Sequence, residues 1–154
     1  FRYNQRRELR LLEEAGGLVR AVSEFSSVEL AAIYCDLFQR RWGFPAAGAA
    51  RLAEVLELLK EFLFGSVLFL NDAPIAVQLV YQVQSNEWFS AEYVNGGVDP
   101  ETRAFSPGSV LSFLNTQSAW EHARAANKSL RFSFGRSDRE YKERWCNPVP
   151  VFSV

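Results

Sequence analysis

The stretch "SFGRSDREYKERW", Ser133 to Trp145, gathers Arg136, Arg139, Lys142 and Arg144 around one phenol, Tyr141. Cations grouped after a glycine stop can hold an anionic ligand through charge-assisted hydrogen bonds. They can equally form the solvated surface of a helix end. Few other groups in the chain could do chemistry. His122 is the only histidine, and Cys35 and Cys146 are the only thiols. One imidazole and two distant thiols supply no metal-ligand spacing, so no metal is expected. A serine or cysteine triad would have to recruit His122 from a helix face. Cys35 sits among apolar helix-forming residues and reads as a small buried hydrophobe. The chain does not resemble a disulfide-dense secreted scaffold.

The net charge of −1 conceals an asymmetry. Between Ser66 and Glu121 the only cation is Arg103, whereas Arg124 to Arg144 holds seven cationic residues against three acidic ones. A near-neutral total argues against specific DNA binding, which favours basic domains. A local rim of Lys128, Arg131, Arg136, Arg139 and Lys142 remains. It suits a phosphorylated donor, a tRNA acceptor end or anionic lipid headgroups, and the charges alone do not separate these. No apolar run approaches the roughly 18 residues that mark a membrane span. The chain begins with Phe1 and contains no Met, so a fragment of a longer protein, with a preceding N-terminal region, is expected.

The 154 residues suit one domain with a sizeable core. Periodicity predicts a helix from Asn4 to Ala15, stopped by Gly16-Gly17, and a short strand over 18–24 with Val19 and Val22 inside. A helix over 27–42 follows, capped by Ser26 or Ser27, with Leu30, Ile33, Tyr34, Leu37, Phe38 and Trp42 on one face. A second helix is predicted over 46–63, with Leu52, Val55, Leu56, Leu59 and Phe62 or Leu63 as its buried stripe. The period then changes to two. Strands over 66–70, 75–83 and 87–94, turned at Asn71-Asp72 and Ser85-Asn86, make an antiparallel meander. Residues 95–106 read as irregular. A long helix over 107–127 turns Val110, Phe113, Leu114, Trp120 and Ala123 inward. A strand over 130–135, a short helix over 138–145 and a strand over 148–154 complete the chain. Helix-separated strands beside a meander imply an α/β (α+β) fold, a mixed sheet with helices on both faces.

This order, from about Leu18 to the end, resembles the GNAT acyltransferase fold. The segment "SPGSVLSFLNTQSAWEHARAANKSLRFSFGRSDREYKERW" is similar to FemAB-like and CelD-type acetyltransferase-like proteins. There a long helix starts near a glycine (here Gly108), a strand follows, and a Tyr-Lys pair (Tyr141-Lys142) precedes an aromatic residue (Trp145). With "YNQRRELR" at its start, the whole chain resembles the macrophage-induced gene family of Gram-negative bacteria, implicated in antimicrobial-peptide resistance. The GNAT resemblance implies an acyl-CoA donor whose pyrophosphate sits at the start of the helix after the meander. Unpaired amides and the helix dipole favour an anion there. Ser106, Gly108 and Ser109 are then the donor-binding positions, with Arg136 and Lys142 beside them. The usual signature, Arg or Gln, two residues, Gly, one residue, Gly or Ala, is kept only at Gly108, since Phe105 and Val110 occupy the flanking positions. The resemblance also implies Tyr141 as the acid that protonates the departing thiolate, and Glu92 on the third meander strand as the base that relieves the amine of a proton. Trp88, Tyr93 and Trp145 are candidates to line the cleft.

Two functional readings follow. One is an acyltransferase domain moving an acyl group from acyl-CoA, or an aminoacyl group from aminoacyl-tRNA, to an amine acceptor. The other is a non-catalytic module of the same fold serving interaction or membrane association. The FemAB-like resemblance assigns residues 1–16 as a connector helix from an absent half and 17–154 as the acyltransferase domain. The expected localisation is cytoplasmic, with peripheral contact at the inner face of the inner membrane.

Overall fold

The computed structural model describes residues 2–135, 142 and 145–150. The expected helix over 138–145 falls largely outside the described residues, as do the last four residues of the strand expected over 148–154. Residues 148–150 are irregular.

The described elements run α1 (Arg2–Glu14), β1 (Leu18–Ala21), α2 (Ser27–Trp42), α3 (Leu52–Leu58), β2 (Leu63–Phe64), β3 (Ser66–Leu70), β4 (Ala73–Gln84), β5 (Trp88–Val98), α4 (Pro107–Ala125) and β6 (Ser129–Ser133). They form one sheet in the order β1-β3-β4-β5-β6, with β2 pairing β4 beside β3. All pairs are antiparallel except β5 with β6, which run parallel from Trp88↔Ser129 to Glu92↔Ser133. The mixed sheet and its central meander are those the periodicity implies.

Local chemistry sets these elements. Asn71 and Asp72 both take left-handed φ, 50° and 62°, the geometry that joins two strands through a two-residue turn with matching twist. At the next turn Ser85 Oγ accepts from the amides of Glu87 and Trp88. A reciprocal capping box starts α2: Ser26 Oγ accepts from Glu29 N, and Glu29 accepts from Ser26 N at 2.9 Å. Gly43 in the left-handed region ends the same helix, where a residue without Cβ is favoured.

The sheet buries both faces. On one, Leu30, Tyr34, Leu37 and Leu56 pack on Val67, Val77 and Leu79. On the other, Val110 and Leu111 of α4 and Leu12 of α1 pack on Leu68, Ile75 and Ala76. Further along, Ala119 and Ala123 cover Val80, Phe89 and Ala91. Thus α2 and α3 cover one face and α4 the other, with α1 docked beside α4.

Four local expectations change. The helix expected over 46–63 is a 3-10 turn (Ala49–Arg51), α3 and a second 3-10 turn (Lys60–Phe62), because Leu63 and Phe64 are drawn into pairing with Tyr81 and Val80. Of its expected stripe only Leu56 is fully buried; Val55 and Phe62 are exposed. The chain leaves β1 at Ala21, and Val22–Glu24 is a 3-10 turn held by Glu24 accepting from Ala21 N. That turn buries Val22 and leaves Val19 exposed. Trp42 and Trp120, both expected inside, are exposed, and each indole is covered by a guanidinium, from Arg41 and Arg124 respectively. Residues 95–98, expected to be irregular, extend β5: a bulge between Leu79 and Val80 shifts the register so that Asn95 to Val98 pair with Leu79 to Ala76.

Candidate functional site

The bulge and the end of β6 together open the sheet. β6 pairs β5 only as far as Glu92, and beyond it Tyr93 to Val98 have no strand on that side among the described residues. Gly96 and Gly97 lie on this stretch. A Cβ on Gly97 would come within 2.6 Å of Leu37 Cβ, so α2 lies directly on β5 there. A Cβ on Gly96 would come within 3.1 Å of the Tyr93 hydroxyl, which therefore lies over the backbone at the opening.

A cleft of about 850 Å³ occupies this opening, lined by Tyr93, Gly96, Phe134 and Trp145 and by Ser106, Gly108 and Ser109 of the start of α4. The rings of Tyr93, Phe134 and Trp145 form a continuous wall, with successive centroids 6.1 and 6.0 Å apart. Opposite stands the first turn of α4. Pro107 at N1 contributes no amide, and the side chain of Ser106 does not cap the helix; its Oγ instead bonds Ser109 Oγ at 3.0 Å. The amides of Gly108 and Ser109 have no acceptor among the described residues, which leaves the positive end of a 19-residue helix facing the cleft.

A buried polar ladder fixes that turn against the sheet. Ser66 Oγ donates to Asn115 Oδ1 at 2.8 Å and Asn115 Nδ2 donates to Gln78 Oε1 at 2.9 Å. Gln78 Nε2 then donates to Ser112 Oγ at 2.8 Å and to the Gly108 carbonyl at 3.3 Å. The side chains of Arg41 and Arg103 also line the cleft, and neither forms an ion pair among the described residues. From α1 come Asn4, Gln5 and Glu8, and the Glu8 carboxylate accepts from Ser106 N at 2.6 Å.

Of the residues singled out from the sequence, Ser106, Gly108, Ser109, Tyr93 and Trp145 meet in this cleft. Glu92 does not line it. Ala91 packs with the α4-side cluster, so alternation turns Glu92 to the other face, where it is exposed and its Oε1 lies near Gly135. Lys142 is half-buried and outside the cleft lining. Arg136, Arg139 and Tyr141 lie outside the described residues. Lys128 and Arg131 of the basic rim do not line the cleft: Lys128, just before β6, reaches Gln84 Oε1 with its Nζ at 2.9 Å, and Arg131, in the middle of β6, lies over the Trp88 ring. Trp88 is thereby excluded from the cleft as well. The sequence reading missed Arg41, Arg103 and the α1 face. Arg103 had one signal, being the sole cation between Ser66 and Glu121; Arg41 and Glu8 come from distant helices and had none.

The fold is that of the GNAT acetyltransferases. An aminoglycoside acetyltransferase from an uncultured soil metagenomic sample superposes with a TM-score of 0.63 at 11% identity, over 93% of this chain and 97% of that one. A predicted acetyltransferase from Clostridium acetobutylicum, solved with acetyl-CoA, gives 0.59 at 12% identity over 90% and 94%. A putative acetyltransferase from Agrobacterium tumefaciens gives 0.59 at 17% identity over 89% and 98%. Within this fold the chain belongs to the Mig-14 family, whose model matches residues 1–154. Among curated proteins nothing matches.

Proposed function

We propose that this chain is an acyltransferase domain that takes a thioester donor on the α4 side of the opened sheet and an amine acceptor on the α2 side. The observation that carries this reading is the pair of amides, Gly108 and Ser109, that have no acceptor among the described residues and lie at a cleft where β5 and β6 stop pairing. Acyl-CoA fits these residues: a pyrophosphate would be held by those amides and by Arg103, and the pantetheine arm would run along the β5 edge past Gly96 and Tyr93. When bound, the donor supplies an activated acyl carbon. The chain's own contribution is chiefly to hold amine and acyl group together. As the C–N bond forms, Glu92, on the acceptor face, takes the proton the amine loses. As the C–S bond breaks, Tyr141 returns a proton to sulfur; both roles rest on the GNAT resemblance. Aminoacyl-tRNA as an alternative donor, a preceding N-terminal region, contact with the inner membrane and a part in antimicrobial-peptide resistance belong to the same proposal through the FemAB-like and macrophage-induced gene resemblances.

A non-catalytic module is the second reading, and one observation favours it. Phe105 and Val110, at the signature positions flanking Gly108, are buried among Leu12, Leu68 and Ile75, so these positions serve packing. Calorimetric titration with acetyl-CoA decides between the two: binding with a 1:1 stoichiometry is expected, and no heat up to millimolar donor would move the assignment to the second reading.

A further inference from the structure

The reading of the cleft as a donor site leaves one residue unexplained. Glu8 places a carboxylate at the start of α4, on the very turn that would receive an anion. Its bond to Ser106 N, at 2.6 Å, joins residues 98 positions apart. Glu8 has no ion-pair partner among the described residues, and that amide and the helix dipole offset its charge. Ser106 is the residue before the Pro107–Gly108–Ser109 turn, so the carboxylate lies within one helical turn of an anion on the Gly108 and Ser109 amides. At that separation, beside a protein surface, like charges repel appreciably.

The same face of α1 carries an independent sign of a ligand. Gln5, three positions before Glu8 and thus on the same side of the helix, is 7% exposed and lines the cleft. Its Oε1 is buried with no hydrogen-bond partner among the described residues, a condition that native structures rarely leave uncompensated. An acceptor so placed is suited to an N–H or O–H group arriving with a ligand. Leu12, one turn beyond Glu8, is fully buried in the α4-side core. The helix is therefore anchored at its C-terminal half, and its polar N-terminal half forms a wall of the cleft.

We propose that Glu8 is a specificity-determining residue: its carboxylate guards the first turn of α4 against polyanions, so that a pyrophosphate-bearing donor binds only against its charge. The proposal rests on the donor-site reading, and the two can fail separately. Wild type, Glu8→Gln and Glu8→Ala are titrated by calorimetry with inorganic pyrophosphate and, separately, with acetyl-CoA, without divalent metal and at fixed ionic strength. Glu8→Gln can still accept from Ser106 N through its amide oxygen, and melting curves check the fold of each variant. Both neutral variants are expected to bind both probes at least tenfold more tightly than wild type. Pyrophosphate affinity that is unchanged or weaker in both variants would overturn the proposal and make Glu8 a helix cap only. So would absence of pyrophosphate binding in all three proteins. Tighter pyrophosphate with no acetyl-CoA binding keeps the guard and removes the acyl-CoA donor. Equal acetyl-CoA affinity in all three proteins, with unchanged pyrophosphate, keeps the donor and removes the guard. If Glu8→Gln does not fold, Glu8→Ala carries the same comparison, since a cap predicts lost stability without any gain in affinity.

Discussion

The side-chain amide of Gln78, in the middle of β4, donates to the carbonyl oxygen of Gly108 across the floor of the cleft. Gln78 also bonds Ser112 and Asn115, and all three side chains are buried. Gln78→Leu keeps the volume and deletes the ladder, stranding the Asn115 amide and the Ser112 hydroxyl. The expected loss is about 2–3 kcal/mol, read as a fall in Tm of roughly 5–10 °C. Adding Ser112→Ala should recover part of it, because it removes the hydroxyl that Gln78→Leu leaves without its donor, whereas Asn115→Leu would strand Ser66 Oγ instead. A neutral Gln78→Leu would show that the ladder is solvated.

Gly97 tests how closely α2 must lie on β5. A Cβ there would sit 2.6 Å from Leu37 Cβ and 2.9 Å from the backbone of the same helix, and a backbone cannot rotate aside as a side chain can. Gly97→Ala should cost about 1–3 kcal/mol as overpacking, measured by urea unfolding. An unchanged midpoint would mean that α2 can slide without penalty.

Gly108 stands in contrast. A Cβ there meets only Val98 Cγ2, at 3.4 Å, so Gly108→Val should fold. Its branched side chain would nevertheless crowd the Gly108 and Ser109 amides. Wild type at acetyl-CoA 100 times its dissociation constant should gain about 2.7 kcal/mol, seen as a rise in Tm, and Gly108→Val should show no rise. An equal rise in both would put the donor elsewhere.

The sheet, its meander and the capped helices were legible because each rests on local chemistry: the Asn71-Asp72 turn, the Ser26–Glu29 box, and the alternation through β4. The break in the helix expected over 46–63 was not. Leu63 and Phe64 fit a helical stripe, and only their pairing with Tyr81 and Val80 makes them a strand. The bulge that carries β5 on to Val98 is likewise a property of two strands together. The site was half legible. Ser106 to Ser109 announce a helix start, and Tyr93 and Trp145, aromatics the sequence offers for a cleft, lie in its wall. Arg41 and Glu8 reach the cleft only because α2 ends and α1 docks beside α4, relations that no local pattern encodes.

The capping box of α2 makes an acid-side prediction. Hydrogen bonds from the Ser26 side chain and amide hold the Glu29 carboxyl below its ordinary value of 4.5. A group whose folded pKa is depressed stabilises above its unfolded pKa, and that stabilisation is lost as pH falls through the folded value. Glu29→Gln should therefore flatten the decline of Tm below about pH 4.5 relative to wild type, with the curves converging at the lowest pH. Parallel curves would show that the box persists with a protonated Glu29.

Glu92 gives the sharpest test of the proposed chemistry because it is not part of the donor cleft. It lies exposed on the far face from Gly108, so Glu92→Gln should leave stability within about 0.5 kcal/mol and acetyl-CoA affinity unchanged. If it is the base, turnover with an amine acceptor should fall by a factor on the order of a hundred or more, because Gln cannot take the proton that the amine loses. Tyr141→Phe, probing the acid, should lower turnover by a similar factor, again with donor affinity unchanged. The combination of intact binding and lost turnover separates proton transfer from positioning, since a positioning defect would raise KM as well. Full turnover in Glu92→Gln would remove Glu92 from the reaction, and the base would then have to be sought among the groups lining the cleft.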